Sequence, residues 1–325
     1  MKKIIGYLRD HLKADFKWGY YLTMGIFLAF ILALNYGLHE FIPEMKGKTI
    51  ERYLRREHRG NEYFVFHYLL FYGIPYYFGL ACHIYFHEEF HLLRSKEFWL
   101  KTSFGMFVLS IDVVFYYHDY LYELPLNAAD RYFLRRCAVN LVSYLCVFVP
   151  LYLFWKWYED KHKIPNFYGL TVKGFEWQPY AWMMLLMVPL VVGASFNQDF
   201  SSYYPRIKLH RIEGMELLPQ WAAIGTFEFL YGADFVWTEL IFRGFLVIGL
   251  AGVLGKGTVL PMASVYCARH FAKPLGESIS SIFGGYILGV IALRSKNILG
   301  GVFIHMGIAL LMELMAFLQI LVIKG

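Results

Sequence analysis

Glu239 and Arg243 stand four residues apart inside an otherwise apolar stretch, Trp221–Leu254, which also holds Glu228 and Asp234. On a helix, that spacing puts the carboxylate and the guanidinium on one face, where they can pair. Charges placed in an apolar span cost a few kcal/mol, so they generally face the interior of a helix bundle and serve a function. Two histidines add to this: His270 ends the run Leu260–Phe271, and His305 lies in mid-run, one turn after Gly300-Gly301. Glu277 follows His270 by seven residues, after Lys273-Pro274. A carboxylate and an imidazole can activate water by general-base chemistry and return the proton to a leaving amine. A second imidazole can stabilise the oxyanion. The plainer alternatives are a structural ion pair, an arginine reaching for the interface and two satisfied core histidines.

A second constellation competes. His87-Glu88-Glu89-Phe90-His91 reads as HExxH, with His83 one turn earlier. If this were continuous helix, His87 and His91 would share a face suited to zinc, with Glu88 as the base. The segment closes an apolar run into a charged tail, however, where an interfacial helix end is the simpler reading. The alternatives are therefore Glu/His-activated water after residue 220 and a zinc site at His87 and His91.

The elements that must carry these residues are membrane spans. The chain has 325 residues, 58% hydrophobic and 17% charged, against about 45–50% and 25% in soluble domains. Aromatic residues reach 20%, as in belts at membrane–water interfaces. Apolar runs fall at roughly 19–38, 63–86, 98–117, 139–157, 180–196, 217–252, 258–271, 278–293 and 298–322. The expected fold is thus all-α, a polytopic bundle of about 8–9 spans. Residues 1–18 carry Lys2, Lys3, Arg9, Lys13 and Lys17 among Ile4, Ile5, Leu8, Leu12 and Phe16, the pattern of a basic amphipathic surface helix. Residues 19–196, bulky and aromatic, read as a scaffold. Residues 197–325, richer in Gly, Ala and Ser, read as a compact core with the chemistry. The net charge of +6 is spread between spans rather than gathered on a polar face, which argues against nucleic acid and for lipid as a partner. Heavy positive charge both before the first span and within 40–59 gives the positive-inside rule conflicting votes on orientation. Cys82, Cys137, Cys146 and Cys267 lie at irregular spacings and form neither a disulfide framework nor a metal ribbon.

Over roughly residues 180–320 the sequence resembles the CPBP (CAAX protease and bacteriocin-processing, or Abi) family of intramembrane endopeptidases. Thr238-Glu239-Leu240-Ile241-Phe242-Arg243-Gly244 looks like its first motif, EExxxRG. Ala268-Arg269-His270 resembles the second, a helix closing on histidine. Gly289 through His305 resembles the third, with Arg294-Ser295-Lys296-Asn297-Ile298 as the turn. The resemblance implies a peptidase acting on a membrane-associated peptide or protein. Glu239 and His270 would activate water, Arg243 would hold Glu239, and His305 would face the oxyanion. It requires no cofactor, although many members are called metalloproteases. Thr238 replaces the family's first glutamate, and Ala309 stands where asparagine is common. A hydroxyl titrates far too high to replace a carboxylate base. Glu239 alone then serves, or Asp234 or Glu277 substitutes, or the fold persists as an inactive binding or scaffold protein.

Overall fold

The computed structural model describes residues 2–38, 49–57, 60–160, 162, 164 and 166–324, with side chains for all of these except 54–57, 323 and 324. Most of the basic segment 40–59 therefore lies outside the described residues. The α-helices are α1 (Lys2–Asp15), α2 (Trp18–Gly37), α3 (Ile50–Glu57), α4 (Phe64–His87), α5 (Lys96–Val114), α6 (Ala128–Ser143) and α7 (Val149–Trp157). They continue as α8 (Gln178–Ser195), α9 (Gln198–Tyr203), α10 (Gln220–Glu239), α11 (Ala251–Leu254), α12 (Val259–Arg269), α13 (Leu275–Ser295) and α14 (Leu299–Lys324). No strand occurs among the described residues. Among the described residues, eight helical segments are long and apolar enough to cross a membrane, and the protein is a helical, multi-pass membrane protein.

The eight replace nine apolar runs for a reason of length. The run at 258–271 becomes α12, eleven residues or about 16 Å, half of a hydrocarbon core about 30 Å thick. It is the second limb of a continuous apolar stretch, Gln220–Arg269. Between the limbs, α10 runs into a ten-residue π-helix, Leu240–Gly249, every residue of which is buried. Gly255 then takes a positive φ of 54°, which a residue without a Cβ adopts at little cost, and the chain turns into α12.

The buried core gathers on this stretch. α12 packs chiefly between α13 and α4, while α14 packs on α8 and α10. One buried charge cluster of the scaffold is compensated: Lys101 Nζ lies 2.8 Å from Glu159 and 2.9 Å from Glu97, and Tyr168 donates to Glu159 at 3.0 Å.

The N-terminal helix has two faces. Ile5, Leu12 and Phe16 are exposed, an outward apolar stripe for lipid. Ile4, His11 and Asp15 are buried, and α1 contacts α13 and the turn Gly255–Thr258.

Candidate functional site

Three helices bring Glu239, Arg243, Tyr266, His270 and His305 together. α10 ends on Glu239, and Arg243 follows in the π-helix, both fully buried. Arg243 donates to Glu239 Oε1 at 2.8 Å, and its guanidinium carbon lies 4.2 Å from the Tyr266 ring centroid. His305 Nδ1 lies 3.0 Å from the same carboxylate oxygen. A carboxylate can only accept, so that nitrogen carries the proton. Glu239 Oε2 has no hydrogen-bond partner and packs over Gly301, where a Cβ would sit 2.1 Å from it.

The start of α14 is built to permit this approach. Lys296, just after α13, takes a positive φ of 55°, and Asn297 Oδ1 then accepts from Leu299 N at 2.8 Å, an Asx turn leading into the helix. Asn297 also donates to the Thr171 carbonyl at 2.7 Å. The Gly300-Gly301 pair lets two neighbours close in, since a Cβ on Gly300 would meet the Tyr180 ring. Two turns beyond His305, Glu313 accepts from Arg206 N with both oxygens, at 3.0 and 2.9 Å.

His270 follows the last residue of α12, a helix that Pro261 can enter because it falls in the first turn. Its Nδ1 lies 2.9 Å from the carbonyl of Tyr266, so Nδ1–H donates and Nε2 keeps the lone pair. The Tyr266 hydroxyl lies 3.3 Å from His305 Nε2. Nothing in the sequence reading singled out Tyr266; its one signal is the four-residue spacing to His270.

A cavity of about 360 Å³ opens on this cluster, walled by Asp234, Thr238, Tyr266, His270 and His305. Glu239 is not part of its wall. Asp234 is, so the acid one turn before Thr238 reaches the space that Glu239 does not. Glu277 is turned elsewhere: Tyr204 donates to it at 3.0 Å and Lys273 lies 3.3 Å away. Ala309 is buried one turn after His305 and brings no polar group. The wall also carries Arg135, Arg136, Arg206, Arg269 and Lys273, against Asp112 and Asp234. Arg269 is paired with Asp112 at 3.1 Å. Burial pulls the Lys273 ammonium down, but Glu277 and the neighbouring tyrosines outweigh it and hold its pKa above the ordinary value. Its charge therefore persists at neutral pH.

Residues 219–311 match the family model described as type II CAAX prenyl endopeptidase Rce1-like. That segment is Rce1-like. The match is under a third of the chain and contains all three motifs, from Thr238 to His305. The matched family is one of membrane endopeptidases. No curated protein and no solved structure matches the chain.

The HExxH reading needs a helix that is not there. α4 ends at His87, Glu88 takes a left-handed φ of 61°, and His91 lies in a separate 3-10 helix, Phe90–Arg94. His87 and His91 therefore share no helical face. The helix end that the charged tail suggested is what occurs.

Proposed function

We propose that the protein hydrolyses a peptide bond of a membrane-associated peptide or protein inside this cavity, with Asp234 and His270 activating the water. One observation carries the reading: Asp234, Thr238, His270 and His305 line a single cavity, while Glu239 is sealed behind it. The lone pair on His270 Nε2 is available to take a proton from water and to pass it to the leaving amine. Asp234, on the same cavity wall, is the carboxyl group that can share the water's protons with His270. Glu239 acts as a positioning residue. It fixes the His305 ring through Nδ1, as a buried carboxylate does behind a catalytic histidine. The Tyr266 hydroxyl, 3.3 Å from His305 Nε2, is then the donor for the oxyanion, with the His305 ring facing it. These steps call for no metal. The basic wall favours a peptide bearing a carboxylate, and the prenyl endopeptidase family supplies the natural probe.

The test uses the full chain in nanodiscs and a farnesylated, fluorogenic CAAX peptide. Asp234→Asn and His270→Ala should each lower kcat by about 10²–10⁴ without changing helicity. Unchanged turnover in both variants would sink the proposal.

Thr238 and the sealed Glu239 favour a second reading, a membrane binding protein on the same fold. It predicts that the probe binds without being cut, and that binding survives in both variants.

A further inference from the structure

A cluster at the other end of α4 from the cavity has no part in this chemistry. The cavity wall includes Phe64 and Tyr68 at the start of α4. His87 ends that helix 23 residues later, about 34 Å away along its axis. Here Asp15, from the end of α1, meets His83 and His87, one turn apart on α4. One ligand atom from each of the three lies within 4.8 Å of the others.

Hydrogen bonds orient the donors. His87 lies between two carbonyls, with Nδ1 3.2 Å from that of His83 and Nε2 3.1 Å from that of Asp15; the same Nε2 stands 3.4 Å from Asp15 Oδ1. His83 Nε2 lies 3.2 Å from Glu89, so it donates there and leaves Nδ1 bare, 3.9 Å from Asp15 Oδ1. Tyr21 donates to Asp15 Oδ2 at 2.9 Å, leaving Oδ1 without a partner. Imidazoles and a carboxylate whose outer atoms are anchored in this way are the arrangement that fixes metal ligands. His11, one turn before Asp15, is fully buried with neither ring nitrogen partnered. Its Nε2 lies 4.0 Å from Asp15 Oδ2.

Three buried polar residues thus converge, with Asp15 Oδ1 and His83 Nδ1 unsatisfied and the unpartnered His11 ring beside them. Orphaned buried polar groups are unfavourable, and a shared cation would give Asp15 Oδ1 and His83 Nδ1 the partner they lack. We propose that Asp15, His83 and His87 bind one zinc-class divalent cation, with the fourth position left to water, clipping α1 to the bundle. Tetrahedral ligands about 2.0–2.2 Å from a metal stand roughly 3.3–3.6 Å apart, so 3.4 and 3.9 Å need only a small contraction. Imidazole nitrogens select zinc and its transition-metal neighbours over calcium and magnesium. Asp15 and Glu89 offset the cation and the ammonium of Lys256, which donates to the Ala14 carbonyl. Gly257 leaves the room: a Cβ there would lie 2.2 Å from His83 Nε2.

The experiment measures zinc by elemental analysis on the full chain, purified in micelles through a tag without histidine, equilibrated with micromolar zinc and gel-filtered. The wild type should keep about one zinc per chain, and His91→Gln should keep the same amount. His83→Gln/His87→Gln should lose it at least tenfold. A wild type with under a tenth of an equivalent, or a double variant that retains the metal, overturns the proposal. Cobalt(II) titrated into the wild type gives a reading that does not depend on the variant's folding. Tetrahedral ligand-field bands support the site, and their absence refutes it.

Discussion

Replacing Glu239 by glutamine isolates what the sealed ion pair contributes. The amide keeps an oxygen for the Arg243 hydrogen bond now 2.8 Å long but removes the charge that balances the guanidinium. Arg243 would remain 1% exposed, with Nε and one terminal nitrogen already unpartnered and only the Tyr266 ring to face. Breaking one side of a buried pair costs about 3–5 kcal/mol. The retained hydrogen bond and the cation–π contact, about 0.5–2 kcal/mol, place Glu239→Gln near the lower end. A loss of about 3 kcal/mol is a change of roughly 150-fold in the folding equilibrium. Glu239→Leu/Arg243→Met removes both charges and should recover most of that loss, because an apolar pair of similar volume is often as stable. The assay is equilibrium unfolding of the full chain in mixed micelles, followed by helicity. A cost under about 1 kcal/mol for Glu239→Gln, or a double variant as unstable as the two single changes added together, would refute a charge-compensated pair.

Three further outcomes follow from named contacts. Gly301→Ala drives a methyl against Glu239 Oε2 and should cost about 1–3 kcal/mol, read in the same unfolding assay, and also slow probe turnover by displacing His305. Thr238→Glu puts a carboxylate on the cavity wall; in an Asp234→Asn background it should restore probe cleavage by at least about tenfold. Lys101→Met strands Glu159 beside Tyr168 and should destabilise by about 3–5 kcal/mol, with Glu159→Gln in the same chain recovering most of it.

The spans and the Glu239–Arg243 pair were legible because both depend on local periodicity, an apolar run for one and a four-residue step for the other. The half-length of α12 was legible in principle from its run of fourteen residues, but not its connection through a π-helix, which no apolar pattern distinguishes from α. The convergence of His270 and His305 on one cavity is tertiary, as is the exclusion of Glu239 from it. Glu277 was a candidate acid by proximity in sequence, yet packing gives it to Tyr204, 73 residues away. HExxH misled because a motif presumes its backbone, and Glu88 breaks the helix inside it. The partner that His83 and His87 do find is Asp15, whose neighbourhood depends on how α1 docks.

The four-residue step between Glu239 and Arg243 also bears on how the protein is made. A lone charge at the centre of a span costs about 2.5–3.5 kcal/mol on insertion. Here acid and base belong to one continuous segment and can neutralise each other as soon as that segment coils, before any neighbouring helix is in place. His305 belongs to α14, which follows that segment in the chain. Partitioning into the bilayer is therefore solved within a single segment, while the geometry for chemistry waits on a helix synthesised after it.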